Sequence, residues 1–488
     1  GLADVALRHL NREVSKEQQR SDWSLEKLSK EQLEYAATDI EVLLELDALL
    51  EYKIEAAKLG KAFTLECNAL PPMAQMWRTG LPWNKESLEQ CLIDYQDDAK
   101  AMGDDFIREL DNALPEDKKL PREEDGSVNL RAKDEGSIRL GTKKYKGFNI
   151  KSSKQLLEKL EILLGYSPKD SNGKKSVSRE ALRKCAADSE TIQTLMNWKK
   201  TEKRRQMLAS IQEKMADDGF VRASYMQLGA DTGRMSSIKP NNQQIPRDAE
   251  FRQCVEAPEG WVIVDADFSQ MELRLAAALA NDRNMIKAFK DGADLHDYTA
   301  EQMGCDRQIA KSANFGLLYG AGSEGLRNYA GSSGVLMSLD EAAKVRDNWL
   351  STYNGIQDWQ NKNYIEAKES KEDEWAETRV PVSGMRRFLK GDLNRITVRC
   401  NTPIQGAGAA ILKCSLGKLW KSVKEAGEDT VKIAAAVHDE IILLVKEEHA
   451  EEWSKTLKDI MERSESLWLG EIPALAEVQI GKTWREVH

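Results

Sequence analysis

Residues 433–445 read IAAAVHDEIILLV: two apolar runs, Ile433–Val437 and Ile441–Val445, close around His438-Asp439-Glu440. Short apolar runs of this length, bounded by polar residues, are expected as buried strands. The link between them is unusual for a hairpin. Tight hairpin turns favour Asn-Gly, Asp-Gly or Gly-Gly because their backbones need positive φ, and this one has no glycine. It also sets two carboxylates beside apolar strands, which is costly unless a cation or a partner neutralises them. Taken alone, these residues read more readily as an ordinary acidic turn.

A second acidic strand end lies far upstream. Trp261-Val262-Ile263-Val264 reads as a buried strand, runs into Asp265-Ala266-Asp267, and is followed by a helical pattern from about Gln270. Taken alone, Asp267 also reads as a helix N-cap. Taken with Asp439, it suggests carboxylates at the ends of adjacent strands converging on a hard cation with oxygen ligands. Two such ions, roughly 3.5–4 Å apart, can stabilise both the attacking and the leaving oxygen of a phosphoryl transfer.

A third segment, residues 307–320, reads RQIAKSANFGLLYG. Arg307, Lys311, Phe315 and Tyr319 recur every four residues, so one continuous helix would align them on a broad face. Two cations followed by two rings suit a nucleoside triphosphate, the cations meeting phosphates and the rings meeting sugar and base. An amphipathic helix with snorkelling cations reads equally well.

The rest of the chain sets bounds. It has 488 residues, enough for two to four domains. With 41% hydrophobic and 31% charged residues it is globular in composition. No apolar run approaches the roughly 20 residues that cross a bilayer. Gly1 to Arg12 mixes Asp, Arg and His with leucines, unlike a signal peptide. The seven cysteines (Cys67, Cys91, Cys185, Cys254, Cys305, Cys400, Cys414) show no CxxC spacing, which argues against a zinc ribbon or a disulfide framework. A cytoplasmic, non-secreted protein without a membrane partner is expected. The net charge of −10 runs against nucleic-acid binding, but binding depends on local patches. Arg139 to Lys154 carries Lys143, Lys144 and Lys154 among six cations and no acid, and Lys199 to Arg205 holds five cations with one Glu. Each run also reads as a solvated face.

Along the chain, residues 22–59 read as helical, Pro71-Pro72 as a break and candidate boundary, and residues 84–112 as an amphipathic helix. A charged, glycine-containing stretch follows from Pro115 to about Gly147. Helices are expected near 153–164, 178–187 and 188–218. The result is a helical N-terminal half and a mixed α+β C-terminal half.

These motifs, in this order, resemble family A DNA polymerases. Asp267-Phe268-Ser269-Gln270-Met271-Glu272-Leu273-Arg274 is similar to the family's first palm motif, residues 307–320 to its fingers motif RxxxKxxNFGxxYG, and Val437-His438-Asp439-Glu440 to its last palm motif. Thr232-Gly233-Arg234-Met235-Ser236-Ser237, with Pro240-Asn241 and Gln244-Ile245-Pro246-Arg247, is similar to the segment between thumb and palm. Asn401-Thr402-Pro403-Ile404-Gln405-Gly406 resembles the NxPxQG element, and Phe148-Asn149-Ile150 with Ser153-Lys154-Gln155-Leu156 a thumb signature.

The resemblance implies a multidomain α+β right hand with helical thumb and fingers and an antiparallel β palm: thumb 66–215, palm 216–280 and 396–488, fingers 281–395. It implies a DNA-directed DNA polymerase that adds dNTPs to a primer 3′-OH, in replication or repair, with two Mg2+ ions for which Mn2+ can substitute. Asp267, Asp439 and the Phe268 carbonyl would be metal ligands and Glu440 a supporting acid. Arg307, Lys311 and His296 would contact the triphosphate, Lys311 also protonating pyrophosphate. Phe315, Tyr319, Gln270 and Glu272 would line the incoming nucleotide, Glu272 excluding a ribose hydroxyl. A Phe at position 315 would disfavour dideoxynucleotides. Arg234, Gln405, Asn401 and His438 would meet the primer–template end, and Lys143, Lys144 and Lys154 its backbone. The family often has arginine where Thr397 stands, four residues before Asn401, and often Tyr where Phe268 stands.

The N-terminus carries its own resemblance. Ser21-Asp22-Trp23-Ser24 and Tyr35-Ala36-Ala37-Thr38-Asp39 are similar to the last motif (YxxxD) of DEDD-type 3′–5′ exonucleases. Residues 1–62 are accordingly expected to be an exonuclease remnant, with Tyr35 and Asp39 the surviving motif residues and proofreading absent. A monomer working with accessory replication proteins, in a bacterial or phage-infected cell, is expected. An RNA polymerase or reverse transcriptase on a similar palm, and an inactive DNA-binding module, are the rival readings.

Overall fold

The computed structural model describes residues 1–130, 147–170, 173–186, 189–370 and 373–487. The chain divides into two compact units. The first comprises residues 1–79, 224–243 and 260–480; the second comprises 80–223, 244–259 and 481–488. Residues 66–79, read above with the thumb segment, thus fall in the first unit.

The first unit is built on a four-stranded sheet. Its strands Ala476–Gly481, Trp261–Phe268, Glu440–Lys446 and Val431–Val437 lie side by side in that order. The central strand Glu440–Lys446 runs antiparallel to both neighbours. Ile263, Val264, Ile433, Ile441, Leu443 and Val445 are buried, each side chain contributing about 1.5–3 kcal/mol of hydrophobic stabilisation. The helices Ile396–Ala426, Gly60–Thr79 and Ala450–Leu469 complete this core.

The two prolines do not break the chain. The Gly60–Thr79 helix runs through Pro71 and Pro72. Proline lacks the N–H that would bond to the carbonyl four residues back. Here packing overrides that cost: Ala69, Pro72, Met73 and Met76 are buried, and the helix lies against Ile396–Ala426 so closely that a Cβ on Gly417 would stand 3.2 Å from the Asn68 carbonyl oxygen. The helix expected over 22–59 begins at Lys30, because Ser29 and Gln32 form a capping box. N-terminal to it, the helix Leu2–Leu10 packs through Ala6 on Val42 and Leu46.

Six helices between Arg283 and Glu369 form the remainder of this unit. Trp349 and Tyr353 are completely buried there and Trp359 is half-buried, as core residues. A β-hairpin, Ala376–Arg379 with Arg386–Leu389, leads into the Ile396–Ala426 helix. Gly406 in that helix is a steric requirement: a Cβ would come within 2.4 Å of Val380 Cγ2.

The second unit is helical. Lys85–Ala113 and Glu190–Lys214 pack on one another, joined by Ser153–Leu164 and Arg179–Cys185 around Phe106, Leu110, Phe148, Leu160, Ile192 and Trp198. The last helix ends at Lys214, earlier than the expected 218, where the chain turns into the short strand Phe220–Val221.

Candidate active site

Strand register brings the two acidic motifs together. Asp267 pairs with Glu440, and the Phe268 N–H donates to the Asp439 carbonyl at 3.3 Å. The hairpin turn solves its glycine problem at His438, which adopts φ 58°. Asp267 lies within its strand, and the N-cap of the following helix is Gln270, so the capping reading of Asp267 does not hold. Asp267 and Asp439 are half-buried, while Asp265 and Glu440 are buried.

Burial pushes the Asp439 carboxyl above the ordinary carboxylate range. The negative charge of Glu272 adds to that rise, against a backbone hydrogen bond and the charges of His438 and Arg234. A cation would relieve this cost. The two carboxylates offer oxygen donors, which suit a hard divalent ion. Among the described residues no group of three or more His, Cys, Asp or Glu side chains forms a preformed cage.

Beside the acids, three side chains interlock. Glu272, in the first turn of the Met271–Ala280 helix, accepts hydrogen bonds from the Arg234 guanidinium and from the Tyr319 hydroxyl. Burial and the neighbouring Glu272 charge raise the Tyr319 pKa, so the phenol stays protonated and donates. A negative side chain at a helix N-terminus is also favoured by the helix dipole.

The helix Arg307–Leu317 presents the expected cations, but it ends before Tyr319, which lies in the following turn. The face is thus Arg307, Lys311 and Phe315, with Tyr319 turned off onto Glu272. Leu317 and Leu318 carbonyls are taken by Gln360 Nε2, at 2.7 and 3.2 Å, which fixes the exit of the helix. Arg307 bonds to Asp294 at 3.1 Å and Asp297 at 2.7 Å, while Lys311 is exposed. Asp294 caps the helix Leu295–Met303 through one carboxylate oxygen and accepts from Gln270 Nε2, at 2.9 Å, through the other.

His296 is buried and its tautomer follows from its neighbours. Trp349 Nε1 can only donate, and it donates to Asn314 Oδ1 at 2.7 Å. The Asn314 amide nitrogen therefore faces His296 Nδ1, at 2.9 Å, and donates to it. The ring proton then sits on Nε2. Burial, with the Arg307 and Lys311 charges, lowers the His296 pKa against the opposing pull of Asp294, keeping the ring neutral. Phe315 lies 5.3 Å from the His296 ring centroid.

Arg234, Asn401 and Gln405 are half-buried and His438 is exposed. Lys154 is exposed on the Ser153–Leu164 helix in the second unit; Lys143 and Lys144 lie outside the described residues. Tyr35 and Asp39 stand one turn apart on the Lys30–Ala56 helix.

Sequence reading missed three residues. Asn314 orients His296, as described. Lys413, buried, donates to Glu66 at 2.6 and 2.8 Å and to the carbonyl of Gly233, next to Arg234, at 2.9 Å. Its signal was a lone Lys in the apolar run Ala409–Leu416. Glu465, also buried, accepts from the Leu475 N–H at 3.2 Å, and the Leu475 carbonyl accepts from the Ser269 N–H at 2.9 Å, steadying the chain just beyond Phe268.

The fold that carries these acids is that of a template-directed polymerase domain. It superposes on the polymerase domain of Pol1 from M. smegmatis, solved with DNA primer-template and dNTP, with a TM-score of 0.78 at 22% identity, covering 100% of this chain and 79% of that one. The chain belongs to DNA polymerase family A: the family model matches residues 133–486. A 3′–5′ exonuclease model matches residues 1–55. DNA polymerase I of Aquifex aeolicus is 32% identical over 96% of this chain and 79% of that protein. The enzymes of Streptococcus pneumoniae (32%, over 70% of this chain) and Pseudomonas aeruginosa (29%, over 93%) are similar too, but the chain spans only 40% and 47% of their lengths. Family membership makes the protein a DNA-directed DNA polymerase, in a metal-dependent family. No helix among the described residues is long and apolar enough to cross a membrane.

Proposed function

We propose that this chain extends a primer 3′-end on a DNA template by two-metal nucleotidyl transfer at Asp267 and Asp439. The observation that carries this reading is the strand register that sets Asp267 opposite Glu440 and Phe268 opposite Asp439. Asp267, Asp439 and the Phe268 carbonyl would hold two Mg2+ ions, with Glu440 a supporting acid behind them. When bound, the ions would acidify the primer hydroxyl and neutralise charge on the triphosphate.

The chain's own residues position the reactants, which is most of what phosphoryl transfer asks of a protein. Lys311 meets the triphosphate as a mobile cation and protonates the departing pyrophosphate. Arg307 joins it by exchanging Asp294 and Asp297 for phosphate oxygens. His296, neutral with its proton on Nε2, donates one hydrogen bond without adding charge. Phe315 and Tyr319 flank the sugar and base, and Gln270 orders Asp294 beneath them. Glu272, held from both sides by Arg234 and Tyr319, occupies the space that a 2′-hydroxyl would need. Arg234, Asn401, Gln405 and His438 contact the primer–template end, where the minor groove offers acceptors at every correct pair. Lys143, Lys144 and Lys154 contact DNA phosphates, so affinity falls with salt. In this reading residues 281–395 are the fingers, 216–280 with 396–488 the palm, and the 66–215 segment supplies the thumb.

The test is Asp439→Asn in primer extension with Mg2+. Extension falls by at least a thousandfold while primer–template binding stays within a few-fold of wild type. Retained extension overturns the site.

A further inference from the structure

The hairpin between Ala376 and Leu389 has two chemically distinct faces. Its register pairs Ala376 with Leu389, Glu377 with Phe388, Thr378 with Arg387 and Arg379 with Arg386. Side chains alternate along each strand, and directly paired residues share a face. One face therefore holds Ala376, Thr378, Arg387 and Leu389. It is the anchored face: Leu389 is fully buried, and Arg387 donates to Thr402 Oγ1 at 3.0 Å, one residue beyond Asn401. The hairpin thus rests on the helix that carries Asn401 and Gln405.

The other face holds Glu377, Arg379, Arg386 and Phe388, and by the same parity the flanking Trp375 and Lys390. Trp375 is 67% exposed and Phe388 52% exposed. Their rings meet edge to face with centroids 6.3 Å apart. The Arg386 guanidinium sits 4.8 Å from the Phe388 centroid, and Lys390 Nζ 5.8 Å from that of Trp375. Glu377 pairs with both Arg379 and Arg386, at 2.7 and 2.6 Å. The face has three cations against one carboxylate, an excess of two positive charges, on a chain whose net charge is −10.

We propose that this face is a binding platform for single-stranded DNA. Exposed rings alternating with cations match a chain of bases joined by phosphates: unstacked bases lie against Trp375 and Phe388 while Arg379, Arg386 and Lys390 meet the backbone. A duplex would not satisfy it, because paired bases already stack on one another. The platform is attached to the Asn401–Gln405 end of the long helix, so a single strand entering or leaving the primer–template end is its natural occupant. That strand is the unpaired 5′ template overhang, which every extending primer–template carries; a strand displaced ahead of synthesis is the alternative the test excludes. The proposal rests on the reading that places the primer–template end at Asn401 and Gln405, and not on catalysis at Asp267 and Asp439.

The experiment measures binding alone, by fluorescence anisotropy without metal or dNTP. Wild type is compared with the double variant Trp375→Ala/Phe388→Ala on three DNAs: a primer–template with a two-nucleotide overhang, one with a twelve-nucleotide overhang, and a gapped duplex carrying a displaced flap. Wild type gains about tenfold in affinity from the long overhang, a size expected for one or two stacked bases. The double variant loses that gain and binds the short-overhang DNA as wild type does. Loss of the long-overhang gain supports the proposal, whereas a loss confined to the flap overturns it. Trp375→Tyr/Phe388→Tyr restores the gain, and an unchanged melting temperature shows that the fold persists. A wild type that gains nothing from either single strand, or a double variant that keeps the whole gain, overturns the proposal.

Discussion

The Tyr319 hydroxyl and the Arg234 guanidinium grip the two oxygens of one carboxylate, that of Glu272. This couples the turn after the Arg307–Leu317 helix to the segment before the sheet, through the acid proposed to select the sugar. Removing the carboxylate opens the space it fills. Glu272→Ala should raise the ratio of rNTP to dNTP incorporation by at least tenfold in single-nucleotide kcat/KM. Tyr319→Phe, which leaves Glu272 held by Arg234 alone, should give a smaller rise in the same assay.

Phe315 packs beside His296 with no hydroxyl of its own. In the proposed site, Phe315→Tyr would place a polar group near the 3′ position of the incoming sugar. Chain termination by dideoxynucleotides in a sequencing ladder should increase at least tenfold, with dNTP kcat/KM nearly unchanged.

Lys413 is 1% exposed and bonds to Glu66 and to the Gly233 carbonyl. Burial alone would lower its pKa, and Glu66 acts against that. Lys413→Met leaves the Glu66 carboxylate without its cation, held only by Gln227 Nε2, and should cost about 3 kcal/mol in a urea melt, as breaking one side of a buried pair does. Lys413→Met/Glu66→Leu should recover part of that loss. Because Gly233 adjoins Arg234, the single variant should also raise KM for primer–template more than it lowers kcat.

Glu465 is buried, and desolvation lifts its pKa to about 7; Glu462 and Asp439 add to the rise, against Arg274 and the Leu475 N–H. A carboxyl raised in the folded state binds its proton more tightly there than when unfolded. Its contribution is therefore complete below about pH 4.5 and is lost as pH rises towards 7, on the order of 3 kcal/mol in all. Glu465→Gln should flatten the stability profile over that window, measured by urea melts at stepped pH. A variant with the same slope as wild type removes Glu465 as its source.

Much of the structure was legible because its causes are local. Asn84 and Ser152 each accept a hydrogen bond from a backbone N–H three residues on, so the starts of their helices are written in four-residue windows, whereas the same signal at Ser29 is hidden by an apolar stripe that begins at Leu25, outside the helix. The acidic strand ends, Asp267 and Asp439, were legible because apolar runs ending in carboxylates are costly without a purpose. The proline pair misled for the opposite reason: propensity argued for a break at Pro71-Pro72, and burial against the Ile396–Ala426 helix overruled it.

The amino-acid sequence by itself determined the order of the motifs, the family they define and the acids that meet at the sheet. Only the tertiary structure decided which partners restrain those residues. Arg234 reaches Glu272 across 38 positions, Tyr319 reaches it across 47, and Lys413 finds Glu66 across 347. Periodicity and capping act over one or two turns, whereas a buried charge takes whatever opposite charge the packing of distant elements brings within reach.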